Sequence, residues 1–137
     1  MTNLGEVTHI TVHHSASSRD TTLEMIHQWH RQKGWRSCGY HFVIEARGEV
    51  RYGRPLNKMG AHVGGNNERN IGICVVGNNT LAGSSWTEAQ CLSLRELCAS
   101  LIRVYNLEPS DILGHGDWDG AQTECPGIDL SAILDTC

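Results

Sequence analysis

The chain has 137 residues, of which 39% are hydrophobic and 19% charged, a balance that suits one soluble globular domain with a real core. A formal net charge of −4 and the lack of a basic stripe exclude a general nucleic-acid or anionic-membrane binder. No apolar run approaches the roughly 20 residues of a membrane span, and the opening MTNLGEVTHITVHH has neither the basic start nor the apolar core of a signal peptide.

Residues 7–13 alternate and are β-branched, so they read as a strand ending at His13. Alternation sends His13 and His14 to opposite sides, and one of the two can face a site. Thr21 and Glu24 fit a capping box, opening a helix to about Lys33 with Gly34 as its left-handed stop. His27 and His30 on that helix could hold a metal, or be partly buried structural histidines, since no carboxylate or cysteine joins them. A second strand opens at Gly39 and runs to Ile44. A turn at Ala46, Arg47 and Gly48 and a return strand over 49–52 complete a hairpin.

Residues 54–70 are rich in Gly and Asn and read as a polar, mobile loop lining a groove. Residues 71–76 form a continuous apolar run, the mark of a central buried strand. Thr87 and Gln90 make a second capping box, with Trp86 in the staple position. The helix that follows carries Leu94, Leu97, Cys98, Leu101 and Tyr105 on one stripe. A short strand at Ile112 and Leu113 and a helical turn over 129–134 finish the chain. The fold class is α/β: one domain over residues 1–137, with a central mixed sheet of about five strands flanked by helices and the strand order left open. Six cysteines are not spaced as a small secreted framework, so most are expected to be reduced thiols in a cytoplasm.

The chain is organised around residues 112–127, ILGHGDWDGAQTECPG. His115 and Cys125 sit ten residues apart on a Gly-rich loop, and imidazole and thiolate are ligands that zinc takes readily. His13 can supply a third, and three ligands leave a position open for water. Such a pair also arises by chance, with the Cys a small buried hydrophobe.

Five blocks, VHHSAS, QKGWRSCGYHF, GAHVGGNNERNIGICVVG, GH-x-D and TECPG, give the chain a specific likeness from about Val7 to Leu134. It resembles the zinc-dependent N-acetylmuramoyl-L-alanine amidases, above all the amidase-type phage lysozymes and the animal peptidoglycan recognition proteins. The resemblance implies one zinc per chain in a surface groove, with His13, His115 and Cys125 as its ligands. It implies that Tyr40 and Thr123 are catalytic, as donors to the zinc water or the developing oxyanion. Gly34 and Trp35 match the place where such proteins recognise diaminopimelate-type peptides, although a helix stop and a buried aromatic explain them equally. The His115–Cys125 loop is two residues longer than the commoner spacing, so Trp118, Asp119 and Gly120 should bulge outward. Cys74 stands where the recycling branch of the superfamily has a catalytic Glu, which points away from that branch.

The reaction so implied is hydrolysis of the amide between N-acetylmuramic acid and L-alanine of peptidoglycan. His41 and His62 are candidates for substrate contact or proton shuttling, and the general base is open. Asn66, Asn67, Arg54 and Arg69 could read the stem peptide's carboxylates. The partners are therefore the stem peptide and muramic acid, with no nucleic acid and no membrane, and the protein is expected to be a monomer. A binding module that has lost the chemistry, or an amidase that also binds a polymerase, are the alternatives; retention of Cys125, Tyr40 and Thr123 favours the enzyme. With no signal peptide and little chain after Cys125, the expectation is an endolysin held in the producing cell's cytoplasm until the membrane is breached.

Overall fold

The computed structural model describes residues 2–134, so Cys137 lies outside the described residues. Strand β1 (His9–His14) lies inside a five-stranded sheet with β2 (Phe42–Ile44), β3 (Val50–Tyr52), β4 (Asn70–Val75) and β5 (Ile112–Gly114), in the order β3-β2-β4-β1-β5. β1 runs parallel to both β4 and β5, β2 is parallel to β4, and only the β2–β3 hairpin is antiparallel. The sheet is thus mixed, as expected. Its parallel centre is buried on both faces, which explains why β4 reads as one apolar run.

The two faces divide by alternation. Ile10, Val12, Phe42, Ile44, Ile71, Ile73 and Val75 pack with Leu94, Cys98 and Leu101 of helix α2 (Glu88–Tyr105). Helix α3 (Leu130–Leu134) adds Ile133 to this core. On the opposite face Val43 and Cys74 pack with Ile26 of helix α1 (Leu23–Gln32). The pairing register places His13 beside Cys74, and Cys74 beside Val43, across that second face. α1 covers one part of it and leaves the ends of β1 and β5 open.

Both helix starts bear on the reading of the sequence. Thr87 caps α2 in a full capping box with Gln90. Gln90 is also fully buried, and its amide donates to the carbonyls of Ile44 and Val76. At α1 the cap is Thr22, not Thr21: the Thr22 hydroxyl accepts from the Met25 N–H, while Thr21 is buried and donates to Ser17. Glu45 accepts the Leu23 N–H, the first of the helix, while Glu24 pairs with Arg51 and closes no capping box. The second strand starts at Phe42 rather than Gly39. Before it, the buried Arg54 guanidinium gathers the carbonyls of Ser37, Cys38 and Met59, which holds this segment out of the sheet.

Candidate metal centre and active-site groove

β1 turns Thr11 and His13 to the face away from α2, and His13 is 2% exposed there. β5 ends at Gly114 beside it, and a single 3-10 turn, His115–Asp117, starts the next segment. This brings the His115 ring to 4.7 Å from the His13 ring, centroid to centroid. The loop then returns, and Gly116 donates its N–H to the Cys125 carbonyl at 2.8 Å, which straps the two ends together. A Cβ on Gly116 would sit 2.4 Å from the Thr123 carbonyl oxygen, so the strap needs glycine. Donor atoms of His13, His115 and Cys125 lie within 4.8 Å of one another.

The loop bulges outward only in part: Asp119 and Gly120 are exposed as expected, but Trp118 is not. Trp118 folds in, its indole N–H donates to the Thr11 hydroxyl at 2.9 Å, and its ring meets His9 edge-on. The energy of burying an indole with its N–H satisfied outweighs leaving it in solvent, and Asp119 and Gly120 take the exposed positions instead.

The donor set suits a zinc ion. Burial, then the neighbouring His62, His115 and His14, hold His13 well below the usual imidazole range, and burial lowers His115. Both rings are therefore neutral and keep a lone pair for a metal. Burial pushes the Cys125 thiol up to about 11, against the opposing hydrogen bond from the His14 N–H. Only a cation at the sulfur would make it a thiolate near neutral pH. Two imidazoles and a thiolate form a three-donor set with an open position.

The groove above these residues has a volume of about 390 Å³ and runs to His30, Lys33 and Trp35 at one end. Past His115 it continues into a second hollow of about 300 Å³, between Gly64 and Asn66 on one wall and Trp118 to Ala121 on the other. Tyr40, Thr123, His62, Asn67 and Trp35, all singled out from the sequence, line the first part. Burial first, then the sulfurs of Cys74, Cys125 and Cys38, raise the Tyr40 phenol well above its usual range; its hydroxyl hydrogen-bonds Cys74. Thr123 accepts the Cys125 N–H at 3.1 Å and keeps its own hydroxyl proton to donate.

Other candidates are placed elsewhere. His41 is 1% exposed and does not line the groove. Its Nδ1 accepts the Gly72 N–H and its Nε2 meets the Lys58 carbonyl, so both ring nitrogens are committed to backbone and none remains for substrate or proton transfer. His62 lines the groove, yet its nitrogens are engaged by His13 and by the Asn70 carbonyl. Arg69 sits at the far end of β4 in a left-handed turn (φ 57°), its backbone bonded to Leu4, Thr8 and His9, away from the groove. Asn67 spends its side-chain oxygen on the N–H groups of His62 and Val63, leaving its amide nitrogen as what it can offer the groove. Residues 54–70 are thus an internally braced loop.

His27 and His30 do not form a metal pair. Each accepts a backbone N–H, from Cys38 and Gly39 respectively. Sequence reasoning missed Lys33, which lines the groove with its ammonium 5.2 Å from the Trp35 ring centroid. A lysine at a helix C-cap, directly before the Gly stop, was the available signal.

Comparison with known proteins agrees with this geometry. The N-acetylmuramoyl-L-alanine amidase family matches residues 3–128. The endolysin of Enterobacteria phage T3 is 39% identical over 126 residues, covering 88% of this chain and 81% of that protein. The endolysin of Klebsiella phage KP32 is 36% identical, over 91% of this chain and 83% of its own length. Among solved structures, the amidase LysC from Clostridium intestinale superposes with a TM-score of 0.82 at 35% identity, over 95% of this chain and 86% of that one. With the family matched across nearly its whole length, the chain belongs to the N-acetylmuramoyl-L-alanine amidases.

Proposed function

We propose that this amidase binds one zinc ion through His13, His115 and Cys125 and, as an endolysin, cleaves the amide between N-acetylmuramic acid and L-alanine in peptidoglycan. The observation that carries the reading is the convergence of those three donors, within 4.8 Å, at the floor of a groove. Zinc, when bound, lowers the pKa of a water and polarises a carbonyl. Tyr40, kept protonated by its burial, donates its hydroxyl to the amide oxygen as that oxygen gains charge. The Cys74 sulfur it bonds in the resting protein is a weak acceptor and is readily exchanged for an oxyanion. Thr123, next to the Cys125 N–H, supplies a second donor.

Charge orients the substrate. The end of the groove with Lys33 and Trp35 offers a cation and an aromatic face to the carboxylate-bearing stem peptide, and the Asn67 amide adds a donor to the same groove. The hollow beyond His115 contains Asp119 and Asn66 and no cation, so it receives the uncharged glycan. All of these parts come from one chain, which acts as a monomer.

Purified protein would be assayed on isolated peptidoglycan for release of stem peptides with a new L-alanine amino terminus, alongside metal analysis. One zinc per chain, loss of release with a chelator and recovery with zinc are expected. Release at full rate from metal-free protein, or cleavage at a glycosidic bond instead, would overturn the reading.

A further inference from the structure

His62 lines the groove and lies directly against His13. Its Nε2 is 3.0 Å from the Asn70 carbonyl, and its Nδ1 is 2.9 Å from His13 Nε2. A carbonyl only accepts, so the His62 proton is on Nε2, and a neutral ring then has a bare Nδ1. Two bare nitrogens would repel at this distance, so His13 Nε2 carries the proton between the rings. We infer that His62 is a positioning residue that holds His13 in its Nε2–H form, leaving Nδ1 as the one lone pair His13 can give a metal. The inference rests on the zinc reading above.

Its surroundings hold His62 tightly. A Cβ on Gly72 would stand 2.7 Å from His62 Cγ, and one on Gly60 would stand 2.7 Å from Cδ2, so the ring is set against two bare stretches of backbone. Asn67 ties down the His62 N–H. The Asn70 side chain is fixed in turn, accepting from Thr11 and donating to the Asn66 carbonyl, both at 2.8 Å. Thr11 accepts the Trp118 indole N–H. A continuous run of hydrogen bonds therefore links the loop that begins with His115 to the far side of the His13 ring. Partners of this kind set the orientation and tautomer of a metal-binding histidine, and losing one typically costs about 10–100-fold in metal affinity.

Two measurements test this. Nitrogen-15 NMR of the metal-free protein should find His13 protonated at Nε2, and should find mixed tautomers in His62→Phe. Competition against a chromophoric chelator should give zinc binding about 10–100-fold weaker in His62→Phe. Binding should be largely restored in His62→Asn, whose side-chain oxygen can stand where Nδ1 stood. A wild-type His13 protonated at Nδ1, or wild-type zinc affinity in a folded His62→Phe, overturns the inference. Should wild-type protein bind no zinc, the zinc reading fails, while the tautomer measurement still decides the role of His62. If His62→Phe does not fold, His62→Asn and the wild-type spectrum carry the test.

Discussion

The two faces of the sheet are made by the same strands and do opposite things. On the α2 side, Ile10, Val12, Ile71, Ile73 and Val75 meet Leu94 and Leu101 in a continuous apolar layer. On the other side, the same strands present Thr11, His13, Gly72 and Cys74, and the imidazoles of His41 and His62 fit against them. The first face gains its stability chiefly from buried apolar area, which names no donor and no acceptor. The second, outside the patch where Val43 and Cys74 meet Ile26, is a set of directed hydrogen bonds, each naming one donor and one acceptor. Damage to the first should show in melting curves, and damage to the second in metal affinity and rate.

The sharpest way to break this contrast is to exchange the readouts. Cys125→Ser should lose zinc and drop wall hydrolysis to background, while the metal-free melting temperature hardly moves. Wild-type protein should gain about 4 kcal/mol from zinc at a thousandfold over its dissociation constant, and the variant almost none, as thermal melts with and without zinc would reveal. Leu94→Ala on the other face should cost about 2–5 kcal/mol, since Leu94 is fully buried and its removal leaves a cavity. Zinc content and turnover per folded molecule should persist. A Leu94→Ala protein that folds with native stability but loses zinc would show that the faces are not separable.

Within the polar face, Tyr40→Phe should keep zinc and lower the rate by about 10²–10³, the usual loss for one oxyanion donor. Turnover at the wild-type level would leave the Tyr40 hydroxyl as a partner of Cys74 and nothing more.

The polar face should also govern how stability depends on pH. Burial, with the Lys33, Arg54 and His27 charges adding to it, lowers His30 to about 4, and burial lowers His62 to about 3. A depressed histidine is neutral in the fold and takes up a proton on unfolding, so the unfolded chain binds more protons below its own pKa near 6.5. The stability is therefore fully present above about pH 6.5 and is lost as pH falls toward the folded values of about 4 and about 3. Denaturant titrations of metal-free protein between these limits should show a falling midpoint, and His30→Gln should flatten the curve. A midpoint unchanged across that range would mean that neither ring is held neutral.

Legibility in the sequence followed the same division. Alternation and apolar stripes are local, so the strands, α2 with its Thr87–Gln90 box, and the placing of His13 at a strand end could all be read directly. The blocks around His13, His115 and Cys125 were legible as a set, and the fold brings those donors to one point. What could not be read were partners chosen across the chain. His13 and His62 are 49 residues apart, and Thr11 and Asn70 are 59 apart, and nothing in either neighbourhood marks the match. For the same reason His41 and Arg54 looked available for substrate when backbone carbonyls and an N–H had already taken them. Trp118 looked like part of an outward bulge because its acceptor, Thr11, lies 107 residues away.

The smallest effect concerns α1, the helix that closes part of the polar face. Two adjacent threonines precede it, and either fits the capping rule on paper. Thr22 has the extended backbone of an N-cap and accepts the Met25 N–H. Thr21 is buried, and its hydroxyl donates to Ser17 in the turn that follows β1. Thr22→Ala should therefore cost about 1 kcal/mol, the usual loss for a cap, with part of the helix start still held by Glu45 on the Leu23 N–H. Because the groove-lining His30 and Lys33 lie at the other end of α1, fraying its first turn should leave zinc affinity and rate unchanged. Thr21→Ala should instead loosen the turn through Ser17 and Ser15, whose hydroxyls bond each other and the Gly77 backbone. Helix content by circular dichroism separates the two: a loss of helix in Thr21→Ala, with none in Thr22→Ala, would move the cap back to the residue first expected to provide it.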